Sequence, residues 1–174
     1  MAEAFRVRAF GFTVAGIVCL VDQLTKWLVT GPLGVSQIGD QKYLLSIFNL
    51  TFVENNGISL GLLNAETELG RWLLVAMTAA IAVGVAVWIG KEKLRGDQLA
   101  LGLVLGGAIG NILDRVRFGY VVDFADLHFG DFRPFLIFNV ADAAISIGVA
   151  ILILRAFFAW LSERKDGQES EDHA

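Results

Sequence analysis

The stretch Trp72-Leu-Leu-Val-Ala-Met-Thr-Ala-Ala-Ile-Ala-Val-Gly-Val-Ala-Val-Trp-Ile89 holds no ionisable residue over 18 positions, and it decides the fold class. As a helix rising 1.5 Å per residue it is about 27 Å long, close to the thickness of a bilayer's hydrocarbon core. Working outward, three more apolar stretches lie within the 174 residues: Phe10 to Val29, Leu99 to Leu113 and Phe135 to Leu154. Four crossings fit; five do not. The expected helices cover about 10–29, 72–89, 98–116 and 135–155. The third is short, so its polar end enters the headgroup layer or packs inside the bundle. Glycines at 102, 106, 107 and 110 put small residues along one side of it, which permits close helix contact.

Composition agrees. Hydrophobic residues make up 55% and charged residues 18%, with a mean hydropathy of +0.61. That is too little charge to keep a surface dissolved, soluble domains running near 25%. The net charge of −4 comes mostly from residues 162–174, and the remainder has 13 acids to 12 bases. No basic face for nucleic acid is indicated. A single cysteine, Cys19, excludes an internal disulfide and a thiolate metal cluster. The first apolar run is longer than a cleavable signal's core and lacks a small-x-small site after it, so it reads as a retained helix.

Eight lysines and arginines flank one side of the membrane and six the other, with three of the eight packed into residues 90–97. By the positive-inside rule both termini are cytoplasmic. Residues 31–70 then form a small extracytoplasmic subdomain, and the acidic segment 162–174 reads as a disordered cytoplasmic tail. Within the outer segment, Tyr43 to Phe48 suits the membrane interface. Leu50, Phe52 and Glu54 alternate with Thr51 and Val53 as a short strand before a turn at Asn55 to Gly57.

The polar residues in this apolar frame need reasons. Asp22 and Lys26 stand four apart on one helix face, acid before base, an arrangement that suits an ion pair. They either tuck in two charges, the lysine snorkelling outward, or organise the mouth of a site. Asn111, Asp114 and Arg115 share a face of the third helix, as a bundle lock or as partners for groups on other helices. Asp142 has no base at helical spacing and reads as about two turns inside the fourth helix. Asp123 precedes it on a short connection. Two carboxylates meeting at the outer boundary can share a proton, as aspartic proteases require. Asp126, His128 and Asp131 read as solvated loop. With no HExxH and only two histidines, neither a metal nor a cofactor is expected.

Five blocks carry a resemblance: Asp22-Gln-Leu-Thr25-Lys26, Val53-Glu-Asn55-Asn-Gly57, Gly106-Gly-Ala-Ile-Gly-Asn111-Ile-Leu-Asp114-Arg115, Gly119-Tyr-Val-Val-Asp123-Phe and Phe138-Asn139-Val-Ala-Asp142. In order and in membrane depth they resemble the bacterial lipoprotein signal peptidases, signal peptidase II. The resemblance implies an aspartic endopeptidase with four transmembrane helices in residues 1–161. Such an enzyme cuts prolipoproteins N-terminal to a diacylglyceryl-modified cysteine at the outer face of the cytoplasmic membrane. It implies Asp123 and Asp142 as catalytic, with Asp22, Lys26, Asn55, Gly57, Asn111, Asp114, Arg115 and Asn139 binding substrate or supporting the site. Phospholipids and globomycin-like inhibitors are the implied partners, and the enzyme is expected as a monomer. The family often has Ala-Ala-Phe after the Asn-x-Gly, where this chain has Ile58-Ser59-Leu60, a difference that bears on substrate fit. The reading from another class is a small proton-coupled transporter or channel subunit. A third is a purely structural or assembly protein.

Overall fold

The computed structural model describes residues 2–57 and 67–172. Its elements run α1 (Ala2–Thr30), β1 (Gln41–Leu45), β2 (Phe48–Asn55), α2 (Glu68–Lys91), α3 (Arg95–Arg117), β3 (Val121–Leu127) and α4 (Val140–Asp172). Four helical segments are long and apolar enough to cross a membrane: Ala9–Thr30, Glu68–Lys91, Arg95–Arg117 and Val140–Ser162. The α class with four spans and a small β-containing subdomain is therefore what the chain forms. The departure Ile58-Ser59-Leu60 lies outside the described residues.

Helix α3 is central and packs against α1, α4 and α2. Its glycines make this possible, though not along one side as expected. A Cβ at Gly106 would stand 2.5 Å from the Ala15 carbonyl oxygen of α1, whereas one at Gly107 would strike the Ala141 carbonyl oxygen of α4. The two neighbouring glycines thus seat different helices, because successive residues lie about 100° apart around the axis. Ala15, Ala82, Ile89, Leu101 and Leu105 fill the bundle core. Helices α2 and α4 turn most of their apolar surface outward, as lipid permits.

The subdomain at one end of the bundle is a three-stranded antiparallel sheet in the order β1-β2-β3. Strand β1 is exposed throughout, with Tyr43 at 77%. Underneath, Leu50 and Phe52 of β2 and Val122 and Phe124 of β3 pack on Val29 and Val35, seating the sheet on the C-terminal end of α1.

Several expectations need correction. The fourth helix starts at Val140, five residues late. Phe138 spends its backbone on Ala125, donating at 3.2 Å and accepting at 2.7 Å, and the Asn139 side chain then takes the Asp142 N–H at 2.9 Å as an N-cap. Asp142 is consequently in the first turn of α4, not two turns inside it. Strand β3 was unforeseen, since its two aspartates read as loop. The acidic tail is helical as far as Asp172, with no proline to stop α4 there. The first three helices also begin before the expected positions, α2 at a Thr67 cap that accepts the Gly70 N–H at 3.1 Å.

Candidate active site

Asp123 comes from β3 and Asp142 from the first turn of α4. Strand register places Asp123 opposite Val53, one residue before Glu54 and two before Asn55. Asp123 is 2% exposed, while Asp142 is half-buried. Neither has a salt-bridge partner among the described residues. Both are addressed by asparagine amides instead.

Each of three asparagines has its side-chain oxygen held by a donor, which leaves its amide nitrogen aimed at one of these carboxylates. Asn55 Oδ1 accepts the Gly57 N–H at 2.9 Å, and Asn55 Nδ2 donates to Asp123 Oδ2 at 2.9 Å. Asn139 Oδ1 accepts the Asp142 N–H, and Asn139 Nδ2 donates to Asp123 Oδ1 at 2.6 Å. Asn111 Oδ1 accepts from Lys26 Nζ at 3.4 Å and from Asn139 Nδ2 at 3.3 Å, while Asn111 Nδ2 donates to Asp142 Oδ1 at 2.8 Å. A lysine ammonium has only donors, so it fixes which end of the Asn111 amide faces Asp142. The two carboxylates are joined through the Asn139 and Asn111 amides.

Lys26 is 4% exposed and does not snorkel as expected. Its ammonium stands 2.8 Å from Asp22 and 2.7 Å from Asp114. Those carboxylates in turn accept backbone N–H groups next to the site: Asp22 from Ala141 at 2.9 Å and Asp114 from Val122 at 3.1 Å. Ala141 precedes Asp142 and Val122 precedes Asp123. The triad therefore fixes the backbone from which both candidate carboxylates hang. A buried cation with two anions is stable only when further donors share the excess charge. Gln23, which the sequence reading passed over, supplies one by donating to Asp114 at 2.9 Å and Asp22 at 3.2 Å. Its signal was its place inside the block between Asp22 and Lys26.

Burial first, and the charge of Asp142 second, push the Asp123 carboxyl up to about 7 against the opposing hydrogen bonds of Asn55 and Asn139. Arg115 lies within electrostatic reach of Asp142 and Asp123. Its buried Nε has no hydrogen-bond partner among the described residues. Gly57 closes the Asn55 turn with φ +94°, a conformation that favours glycine. All ten residues singled out from the sequence thus belong to one connected region.

The loop cluster comes out differently. Asp126 is buried rather than solvated, paired with Arg133 at 3.0 Å and accepting from Thr51 at 3.3 Å. Among the described residues no three of His, Cys, Asp and Glu gather as a metal site. The membrane acids Asp22, Asp114, Asp123 and Asp142 collect in one network instead of lining a path across the bilayer, which takes away the basis of a transporter.

Residues 14–158 match the family model described as signal peptidase (SPase) II. The lipoprotein signal peptidase of Sphingopyxis alaskensis is 58% identical over 147 residues, 84% of each chain. That of Rhizorhabdus wittichii is 58% identical over 157 residues, 90% of this chain and 91% of its own. That of Caulobacter vibrioides is 40% identical over 161 residues, 92% of each. Among solved structures, a bacterial membrane enzyme at 1.9 Å superposes with a TM-score of 0.72 at 30% identity, covering 84% of this chain and 91% of that one.

Proposed function

The chain belongs to the signal peptidase II family, and on that premise we propose that Asp123 and Asp142 are its catalytic pair. It is a multi-pass membrane protein and an aspartic endopeptidase that removes signal peptides from prolipoproteins. The proposal extends to the cut itself, N-terminal to a cysteine that already carries a diacylglyceryl group. The observation that carries the residue assignment is the set of three amides, each locked by its own oxygen, converging on two carboxylates.

The chemistry follows from the difference between the two acids. Asp123, the more deeply buried, holds the shared proton, and Asp142 is the ionised base. A water between them gives its proton to Asp142 as its oxygen attacks the scissile carbonyl carbon. The Asp123 proton passes to the carbonyl oxygen, so the intermediate is a neutral diol. When the carbon–nitrogen bond breaks, Asp142 returns its proton to the leaving nitrogen and a diol hydroxyl returns one to Asp123. The pair ends as it began. Arg115, within electrostatic reach of both carboxylates, steadies the negative charge of the pair. The outer segment around Gly57 covers the cut from the aqueous side and limits water.

The same reading puts the enzyme in the bacterial inner membrane with both termini cytoplasmic and the pair at the outer face. That placement rests on the eight-to-six distribution of lysine and arginine. Residues 1–161 act as one peptidase domain in a monomer surrounded by phospholipid, with globomycin-like inhibitors among its ligands. A diacylated substrate leaves the bilayer only at about 0.8 kcal/mol per exposed CH₂, so the enzyme brings its carboxylates to the boundary.

The deciding experiment is gel-shift cleavage of a diacylglyceryl-modified prolipoprotein by purified Asp123→Asn and Asp142→Asn. Both are expected to insert and fold with turnover below detection, since an amide cannot exchange the proton. Near wild-type turnover in either removes that residue from the pair.

A further inference from the structure

A second cavity, lined by neither Asp123 nor Asp142, lies where the outer ends of α1 and α3 meet the sheet. A crevice of about 180 Å³ opens there between Lys26, Trp27, Thr30, Asp114, Arg117 and Tyr120, among others. Arg117 is exposed at its mouth. It donates to Gln23 Oε1 at 3.3 Å and lies over the Phe118 ring, and it has no carboxylate partner among the described residues. The charged residues deeper in, Lys26 and Asp114, are buried and bonded into the triad with Asp22. Arg117 is therefore the charge this crevice presents at its mouth, and it is positive.

Directly along α1 from the crevice runs an open apolar groove of about 510 Å³ between α1 and α3. Phe12, Gly16, Leu20 and Gln23 line it from α1, and Leu105 and Ile109 from α3. Gln23 borders both spaces, its side chain reaching across to Gly110 and Asp114 of α3 where the polar crevice and the apolar groove adjoin. From Phe12 to Gln23 the groove runs about 16 Å at helical rise. Gly16 leaves it open, for a Cβ there would meet nothing within 4 Å. Trp27, 61% exposed, stands where aromatic side chains mark the headgroup level.

We propose that crevice and groove form one glycerophospholipid site, with the phosphate on the Arg117 guanidinium and an acyl chain along the α1/α3 groove. The guanidinium's remaining N–H groups match a phosphate's oxygens, and the lining below matches hydrocarbon. A diacylglyceryl group offers Arg117 ester carbonyls but no anion, so this site favours a phosphate-bearing lipid over the substrate's lipid group. Bound there, the lipid rests against Gln23, whose amide braces Asp22 and Asp114.

Native mass spectrometry of the full chain released from detergent tests this with phosphatidylglycerol and phosphatidylethanolamine as probes. Diacylglycerol of the same acyl length and free glycerol phosphate serve as comparators. Wild type is expected to retain one phospholipid. Arg117→Gln weakens retention about fivefold, near the value of one basic residue at a lipid surface; Arg117→Lys keeps most of it. Gly16→Leu also weakens it by filling the groove, and because that position is open the substitution leaves the thermal midpoint unchanged. Diacylglycerol binds wild type no better than phospholipid binds Arg117→Gln. Full retention by Arg117→Gln or Gly16→Leu overturns the proposal. So does equal retention of diacylglycerol, or displacement of phospholipid by glycerol phosphate at equal concentration.

Discussion

Asn139 links the two aspartates with the two ends of one amide: its Nδ2 donates to the Asp123 carboxylate at 2.6 Å, and its Oδ1 accepts the backbone N–H of Asp142 at 2.9 Å. The residue that starts α4 is thus the residue that orients the strand carboxylate. A helix terminus leaves N–H groups to be satisfied, and here a side chain that satisfies one of them also sets the geometry of the site.

The first consequence is a pH profile. Asp123 is raised to about 7, chiefly by burial, so the proton the mechanism draws from it is present below about pH 7 and lost above. The alkaline limb of kcat/KM is expected near pH 7. In Asn55→Ala the carboxylate loses a donor that favours its charged form, so the limb moves to higher pH while kcat falls. Stability follows the same linkage. An unfolded Asp123 ionises near 3.8, so between that value and about 7 the folded state binds more protons, and the contribution of this group to stability declines as pH rises. A limb unmoved in Asn55→Ala would show that this amide does not reach the titrating group.

Much of this site was legible in the chain, because an apolar frame makes every polar residue conspicuous. Asp22 and Lys26 announce their pairing by spacing alone. Their third partner, Asp114, lies 88 positions further along the chain, and no local pattern connects it to Lys26. The start of α4 was misread for a related reason. Residues 135–138 are apolar enough to be helix, but the Phe138 backbone is taken by Ala125, a contact between segments. Strand β3 was hidden because Asp123 and Asp126 look like loop residues until their partners, Asn55, Asn139 and Arg133, are in place.

The buried triad gives a stability prediction. Lys26→Met removes the cation between Asp22 and Asp114 and leaves two carboxylates facing one another without it. Breaking a buried pair in this way costs about 3 to 5 kcal/mol. Thermal unfolding in detergent should show a large drop in midpoint. The double variant that also replaces Asp114 with Asn should recover part of it, since less charge is then stranded. An unchanged midpoint in Lys26→Met would mean that the triad does not hold the bundle.

Topology is checked on a Cys19→Ser background with single cysteines at Asp40, Lys93 and Asp131. An impermeant thiol reagent added to intact cells after outer-membrane permeabilisation is expected to label the first and third only. The physical basis is the short turn between α2 and α3, where Lys91, Lys93 and Arg95 crowd together, a cluster that the positive-inside rule assigns to the cytoplasmic side. Labelling of position 93 with protection of the other two inverts the molecule and puts the carboxylates at the inner face.

Gly57 offers the sharpest separation of chemistry from fold. Its φ of +94° is one that a β-branched residue rarely adopts, and an added Cβ would come 2.6 Å from Leu74 Cδ1 near the N-terminal end of α2. The Gly57 N–H is also what holds Asn55 Oδ1, and through it the amide that reaches Asp123. Gly57→Val should therefore shift this turn, free the Asn55 side chain to rotate and lower turnover strongly, while the transmembrane bundle, which the turn does not build, keeps its insertion and expression. Gly57→Ala, smaller but still strained, should lose less. Asn55→Ala in the Gly57→Val background should then add little further loss, because both changes remove the same hydrogen bond to Asp123. The measurement is steady-state cleavage of a lipidated prolipoprotein by the two single variants and the double. Full activity in Gly57→Val would reduce this segment to a tether, and additive losses in the double variant would separate the turn from the amide it is argued to aim.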